Sequence, residues 1–260
     1  MKITKMNITR ALTASILASA ALLSPMASFG AGGGIALESP RIDQGNEKSL
    51  QRGAQAFVNY CMACHSMGYQ RYSRLAQDLG LSEEDVSANL IFTTDDAGEP
   101  TKVGSLMTNS MTTDYAKQAF GVVPPNLSLT AQSRGVDWIY TYLKSYYVDP
   151  DKPGGGVNNL VYPGTAMPHV LWEQQGWQVP VYGDEVNGVA PIESLALDSR
   201  GTMTEQEYDA LAADITNFMA YVSDPIKQTR HRIGTWVLLF LFGLLAVTYL
   251  LKKEYWKDVV

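Results

Sequence analysis

The sequence contains a five-residue motif, Cys61-Met62-Ala63-Cys64-His65, that limits the possible folds more than any other feature. Cysteines three positions apart on a helical turn place both thiols on one face, and the histidine that follows lies beside them. This spacing is the attachment motif of c-type haem, in which the thiols bind the porphyrin vinyl groups as thioethers and the imidazole is the proximal iron ligand. The motif therefore predicts one covalently bound haem c held by Cys61, Cys64 and His65.

Two other chemistries use a Cys-x-x-Cys pair. A thioredoxin-like redox centre would lie in a βαβ pattern, which this sequence does not show, and a structural zinc site would need further Cys or His ligands nearby. The chain has 2 cysteines and 3 histidines in all. The other two histidines, His169 and His231, are distant from the motif, so haem is the favoured interpretation.

The first 30 residues have the pattern of a secretory signal peptide. Lys2, Lys5 and Arg10 form a basic start, and residues 11–23 form a short apolar run. Ser28 and Gly30 offer small side chains at the −3 and −1 positions of a cleavage site. The alternative is an uncleaved N-terminal anchor, which the short, Ala- and Ser-rich run disfavours. Export to an oxidising compartment is compatible with a chain of two cysteines that form no disulfide, because both thiols would be bonded to the haem.

Near the other end, residues 233–251 form a continuous uncharged apolar stretch. As a helix it would rise about 28 Å, close to the thickness of the hydrocarbon core of a bilayer. We therefore expect a transmembrane anchor over residues 229–252 and a cytoplasmic tail over residues 253–260. Basic residues flank the stretch on both sides, so the charge rule does not decide its orientation. The signal peptide decides the orientation. It predicts a single-pass protein of the bacterial inner membrane with residues 31–228 on the periplasmic side.

The region between signal and anchor is acidic. Residues 31–226 contain 11 basic and 24 acidic side chains, a net charge of −13. This charge argues against binding to nucleic acid or to anionic lipid, and it is compatible with docking of a basic soluble partner. Solubility alone is the alternative explanation of the same charge.

The secondary-structure signals are mainly helical and are separated by long loops. Helices are predicted over residues 47–60, leading into the motif, over residues 137–147, and from a capping box at Thr204-x-x-Glu207 to the Asp224-Pro225 junction. Residues 148–203 are rich in Pro and Gly and show little periodicity, so we expect ordered loops that cover a porphyrin. The predicted fold class is mainly α, a cytochrome c-like haem domain with long loops plus one C-terminal transmembrane helix.

The sixth position on the iron has two main candidates. Met167 lies in the segment Tyr162–Pro168, where prolines restrict the backbone and Gly164 allows a close approach to a ring. His169 is the rival, and bis-histidine ligation would lower the reduction potential; His169 could also be a surface loop residue, and the iron could be open. We favour Met167, because its segment is restricted by prolines and can approach the ring. Sulfur and imidazole together would then give a high-potential iron that shuttles single electrons.

Four segments follow one another along most of the mature chain: residues 61–66, the Pro-Pro-Asn-Leu-Ser segment 124–128, the segment 162–168, and the Asp224-Pro225 junction that runs through residues 230–232 into the anchor. Together and in this order they resemble the cytochrome c1 family, the haem subunits of quinol–cytochrome c reductase (cytochrome bc1) complexes.

The resemblance implies a role for each matching residue. Arg134 follows the Pro-Pro segment where the family has an arginine that pairs with a haem propionate, and guanidinium offers a carboxylate a fork of donors. An ordinary surface arginine is the alternative. Asn126 stands where the family usually has Asp, and the loop 149–159 also departs from the family pattern. The implied cofactor contacts are Cys61, Cys64, His65, Pro125, Arg134 and Met167, with His65 and Met167 on the iron.

The resemblance also implies the partners. An electron would arrive from a Rieske iron–sulfur protein and leave to a cytochrome c, and a cytochrome b subunit would pack beside the anchor in a dimeric complex. The chain itself would perform no chemistry on a substrate. Three alternatives remain open: a membrane cytochrome c feeding a terminal oxidase, a haem enzyme with an open iron site, and a haem-based sensor or assembly protein tethered by the tail.

Overall fold

The computed structural model describes residues 35–258 except 96, 153–155, 186, 187 and 189. The predicted signal peptide over residues 1–30 lies outside the described residues. The helices are α1 (Glu47–Tyr60), α2 (Tyr72–Asp78), α3 (Glu83–Leu90), α4 (Thr113–Phe120), α5 (Thr130–Arg134), α6 (Val136–Lys144), α7 (Trp172–Gln175), α8 (Glu205–Ser223) and α9 (Lys227–Tyr255). The strands are β1 (Met67–Arg71), β2 (Leu106–Met107), β3 (Tyr146–Val148), β4 (Val157–Asn159), β5 (Gly176–Tyr182) and β6 (Ile192–Arg200).

Helix α1 packs against α8 at the centre of the hydrophobic core. The side chain of Asn46 caps α1 by accepting a hydrogen bond from the Ser49 amide, and the helix buries Leu50, Ala54 and Phe57. The rings of Phe57 and Phe218 lie 5.7 Å apart between centroids. At Gly53 an added Cβ would overlap the carbonyl oxygen of Asp214 on α8. The missing side chain therefore allows the two backbones to approach, and this contact fixes the helix that leads into the motif.

Helix α8 begins and ends where the sequence predicts. Thr204 and Glu207 form the expected capping box, in which the Thr204 side chain accepts from the Glu207 amide and the Glu207 carboxylate accepts from the Thr204 amide. The helix ends at Ser223, immediately before the Asp224-Pro225 junction. Both ends are confirmed, because each depends on residues that are neighbours in the sequence.

The helix predicted over residues 137–147 is shorter in the structure. Helix α6 ends at Lys144, and Tyr146 instead begins β3, which pairs antiparallel with β4. Asn159 explains the early end, because its side-chain amide donates to the carbonyl oxygen of Tyr142 at 2.8 Å. The Leu160 amide likewise donates to the carbonyl oxygen of Ser145 at 3.1 Å. A segment distant in sequence thus satisfies the last carbonyl groups of the helix.

The expectation of loops throughout residues 148–203 is wrong for its second half. Strands β5 and β6 form a two-stranded antiparallel hairpin that pairs Gly176 with Arg200 at one end and Tyr182 with Ile192 at the other. The period-two signal, Trp177, Val179 and Val181, is present in β5, but Pro180 and the surrounding glycines obscure it. The mainly α fold class stands, and the described residues add three small two-stranded sheets to it.

Helix α9 is one continuous helix of 29 residues with a mean hydropathy of 2.1 in its most apolar window. Within the described part of the chain, none of its residues is buried. It rises about 43 Å, which exceeds the hydrocarbon thickness of a bilayer. Among the residues that the structure describes, α9 is therefore the one long apolar helix that the sequence predicts, and it is a candidate membrane span.

Candidate cofactor site

The Cys-x-x-Cys-His motif forms one further helical turn at the end of α1. The amide of Cys61 donates to the carbonyl oxygen of Phe57 at 2.8 Å, and the amide of His65 donates to the carbonyl oxygen of Cys61 at 2.9 Å. Helical spacing places Cys61, Cys64 and His65 on one face, as expected from the sequence. The side chains of Cys61 and His65 are buried, whereas Cys64 is half-buried.

The two cysteines are free thiols. Burial raises the pKa of Cys61 to about 12 and also raises the pKa of Cys64. Both thiols are therefore protonated at neutral pH. A thioredoxin-like centre needs a thiolate, which is normally favoured by a lowered pKa, so this environment disfavours that alternative. The described residues include no group of three or more His, Cys, Asp or Glu side chains that could hold a metal ion, which disfavours a zinc site.

The imidazole of His65 is oriented by the backbone of the Pro-Pro segment. Its Nδ1 lies 2.8 Å from the carbonyl oxygen of Pro125. Because a carbonyl oxygen only accepts, Nδ1 carries the proton, and Nε2 keeps a lone pair for a metal. Desolvation lowers the pKa of His65, and the hydrogen bond to Pro125 opposes this shift only in part. The lowered pKa keeps the ring neutral at neutral pH. Pro125, which the resemblance places against the cofactor, thus contacts the predicted proximal ligand through its carbonyl group.

Residues that follow Pro125 attach this segment to the chain that follows the motif. The amide of Leu127 donates to the carbonyl oxygen of Ser66 at 2.9 Å, and the amide of Tyr69 donates to Oγ of Ser128 at 3.1 Å. Oγ of Ser223, at the end of α8, donates to the carbonyl oxygen of Ser128 at 2.8 Å. The position of the carbonyl group that orients His65 is therefore determined by two separate parts of the chain, the segment after the motif and the end of α8.

Asn109 also holds the motif turn, and sequence reasoning missed it. Its side-chain amide donates to the carbonyl oxygen of Cys64 at 2.5 Å, and its backbone amide donates to Oγ of Ser66 at 2.9 Å. An asparagine in an irregular loop 45 positions after Cys64 carries no local signal of this role. Only the folded chain brings it to the end of the motif.

Met167 is half-buried and packs against the hydrophobic core. Its backbone amide donates to Oγ1 of Thr165 at 3.3 Å, and the same oxygen lies 2.9 Å from the hydroxyl of Tyr142 on α6. The segment that carries the predicted distal ligand is therefore attached to α6 by polar contacts that the sequence did not reveal.

His169, the rival ligand, is only 5 % exposed, so it is not a surface loop residue. Its ring stacks on Tyr146 with centroids 4.9 Å apart and meets Trp177 edge-on at 5.9 Å. Burial lowers the pKa of His169 to about 4, so the ring is neutral at neutral pH. These contacts place His169 in an aromatic cluster between β3 and β5.

Arg134 is exposed, and its guanidinium carbon lies 5.3 Å from the centroid of the Trp138 ring. None of the ion pairs between described residues includes Arg134. Trp138 in turn stacks on Tyr142 at 4.9 Å, and Tyr142 contacts Thr165. Direct contacts thus lead from Arg134 along α6 to the segment of Met167, so the predicted propionate partner and the predicted distal ligand adjoin one aromatic wall.

A cleft of about 620 Å³ lies on another side of the motif, lined by the intervening residues Met62 and Ala63 together with Val58, Phe92 and Tyr115. Its lining does not include Cys61, Cys64 or His65. Helical geometry explains this, because Met62 and Ala63 project away from the face that carries the thiols and the imidazole.

The residues present fit a c-type haem. Two free thiols and a neutral imidazole lie on one helical face. A half-buried thioether and a guanidinium that forms no ion pair with the described residues adjoin one aromatic wall. A mainly helical domain built around such a turn, followed by one long apolar helix, is a protein of the cytochrome c class.

Comparisons with known proteins narrow this class. The model of the "Cytochrome C1 family" matches residues 40–191 and 193–259. The chain is 50 % identical to cytochrome c1 of Allochromatium vinosum over 94 % of this chain and 98 % of the relative. It is 45 % identical to a protein of Nitrosomonas europaea named "Ammonia monooxygenase gamma subunit", over 92 % of this chain and 96 % of the relative. Cytochrome c1 of Blastochloris viridis is 27 % identical over 83 % of each chain.

The chain belongs to the cytochrome c1 family. Membership makes it a haem protein of electron transport and an electron-transfer subunit of a bc1-type complex. The family resemblance drawn from the motif, the Pro-Pro segment, the segment of Met167 and the C-terminal junction is thereby confirmed.

Proposed function

We propose that this chain is a membrane-anchored monohaem cytochrome that passes electrons from a Rieske iron–sulfur protein to a cytochrome c within quinol–cytochrome c reductase. The observation that carries the proposal is the 2.8 Å contact between Nδ1 of His65 and the carbonyl oxygen of Pro125. It orients a buried, neutral imidazole beside two free thiols, with Nε2 available to iron. Carbonyl groups that orient the ligating histidine in this way are typical of haem and metal sites.

In this proposal Cys61 and Cys64 attach one haem c covalently, His65 is the proximal ligand and Met167 the distal ligand. The haem supplies one-electron chemistry when it is bound. The protein supplies an imidazole with a fixed tautomer, a thioether on an anchored segment, and a largely apolar surrounding. Together these favour a high reduction potential and leave no position for a substrate.

Arg134 would pair with a haem propionate. Its guanidinium lies over Trp138 and has no carboxylate partner among the described ion pairs. A guanidinium without a carboxylate partner can offer two parallel donors to a propionate, and it stays charged when a cofactor covers it. The indole below it limits the orientations that the side chain can adopt.

The proposed topology is a signal peptide over residues 1–30, a periplasmic domain over 31–228, an anchor over 229–252 and a cytoplasmic tail over 253–260. Helix α9 supports the anchor because it is apolar, long and unburied in this chain. The apolar surface of α9 would pack against lipid and against a cytochrome b subunit of a dimeric complex. The acidic domain, at −13 over residues 31–226, would attract a basic cytochrome c.

Intact-mass measurement of the mature protein tests the covalent haem, because one attached haem adds about 616 Da. Purification of the full-length chain in mild detergent tests the partners. We expect a cytochrome b and a Rieske protein to co-purify with it. Co-purification with the subunits of a terminal oxidase or of a monooxygenase, or isolation of the chain alone, would overturn the proposal.

A further inference from the structure

The segment that carries Met167 is held by a buried hydroxyl group. Thr165 is 2 % exposed, and its Oγ1 accepts from the amide of Met167 at 3.3 Å while lying 2.9 Å from the hydroxyl of Tyr142. The first contact spans two residues and is a local threonine turn. The second joins this turn to helix α6, which belongs to the core. Thr165 therefore connects the backbone of Met167 to a rigid element.

The connection continues through a second tyrosine. The hydroxyl of Tyr146 donates to the hydroxyl of Tyr142 at 2.7 Å, so the proton of Tyr142 is directed to Thr165. Burial raises the pKa of both tyrosines, and both therefore remain protonated donors. On the other side of the turn, Nζ of Lys152 donates to the carbonyl oxygen of Thr165 at 2.7 Å.

A thioether is a weak ligand carried on irregular backbone, so its bond to iron depends on how well its segment is positioned. Water does not reach the Thr165 hydroxyl, and a broken hydrogen bond there would leave a buried polar group unpaired. We propose that the hydroxyl chain Tyr146–Tyr142–Thr165 positions Met167 so that its sulfur stays on the iron. This inference rests on the proposed role of Met167, and its members are positioning residues that do not touch the metal.

The test compares variants of the full-length haem protein in detergent. Thr165→Val removes the hydroxyl and keeps the branched shape, whereas Thr165→Ser keeps the hydroxyl. Tyr142→Phe removes the other end of the contact and keeps the ring that stacks on Trp138. Tyr140→Phe is the matched control, because this tyrosine lies on the same helix and its hydroxyl is 3.5 Å from Nζ of Lys144, outside the chain of hydroxyls.

Three measurements report on the bond between the haem iron and the sulfur of Met167. They are the far-red charge-transfer band of the ferric protein, the midpoint potential, and carbon monoxide binding to the ferrous protein. Carbon monoxide binds only where sulfur has left, so its apparent affinity follows the open fraction. Loss of one buried hydrogen bond should raise that affinity about tenfold in Thr165→Val and Tyr142→Phe, which corresponds to about 1.4 kcal/mol. The charge-transfer band should weaken and the midpoint should fall in the same variants, and Thr165→Ser and Tyr140→Phe should match the wild type.

The outcomes separate the two proposals. A wild type that lacks the band and binds carbon monoxide freely would overturn the assignment of Met167 and this inference with it. If the wild type shows the charge-transfer band, and Thr165→Val leaves the band, the midpoint potential and the carbon monoxide affinity unchanged, this inference alone is overturned. An equal loss in Thr165→Ser would show that shape rather than the hydroxyl matters, and would also overturn it. If Thr165→Val does not retain haem, Tyr142→Phe decides the question.

Discussion

The contact between α1 and α8 makes Gly53 a sensitive position. In Gly53→Ala the new Cβ would overlap the carbonyl oxygen of Asp214 and lie 2.8 Å from Cβ of Phe218. The obstacle is backbone of a neighbouring helix, which cannot rotate away as a flexible side chain can. Overpacking of this kind costs about 1–3 kcal/mol, and we expect the upper end, about 3 kcal/mol. Alanine recovers about 1 kcal/mol of helix propensity, so the net loss of unfolding free energy is about 2 kcal/mol.

Thermal unfolding of the haem protein in detergent, followed by near-ultraviolet circular dichroism, measures this loss. For a domain of this size the midpoint temperature should fall by about 4–8 °C. Gly104→Ala is the control, because an added Cβ at Gly104 meets no atom within 4 Å. There we expect no loss. A Gly53→Ala protein as stable as the wild type would refute the close approach of the two helices.

Three further variants test the site and the core. Met167→Leu should lower the midpoint potential by on the order of 100 mV or more, since sulfur ligation is lost, and an unaltered redox titration would contradict the assignment. Replacing Cys61 and Cys64 together by serine should abolish haem staining on a denaturing gel, so wild-type staining would exclude thioether attachment. Asp214→Asn should lower the free energy of unfolding by about 1–3 kcal/mol, because this buried carboxylate accepts from Nε of Arg52 at 2.6 Å. Denaturant unfolding measures the loss, and unchanged stability would show that the ion pair contributes nothing.

Elements whose signals are local were predictable. The motif turn, the capping box at Thr204 and the long apolar helix α9 each depend on residues within a few positions of one another. Hydrogen-bonding side chains at helix ends and the spacing of apolar residues act over one or two turns. These elements can therefore be predicted without knowledge of the rest of the chain.

The errors occurred where distant segments decide the backbone. Helix α6 ends early because Asn159 donates to the carbonyl oxygen of Tyr142, and the sequence near residue 144 contains no sign of it. The β5–β6 hairpin lies where the sequence predicts loops, because Pro180 interrupts its alternation. Of the alternatives for His169, the surface loop position is excluded, because the ring is buried against Tyr146 and Trp177.

The sequence by itself determined the chemistry of this protein: two thiols and an imidazole on one turn, a methionine segment bounded by prolines, and one apolar helix. These follow from covalent spacing and helical periodicity, which are properties of a short stretch of chain. Only the tertiary structure decided how the proposed ligands are held. The carbonyl oxygen of Pro125 orients His65, Asn109 donates to the motif turn, and Oγ1 of Thr165 accepts from the amide of Met167. Those hydrogen bonds join positions dozens of residues apart or depend on burial, and both arise only when the whole core has packed.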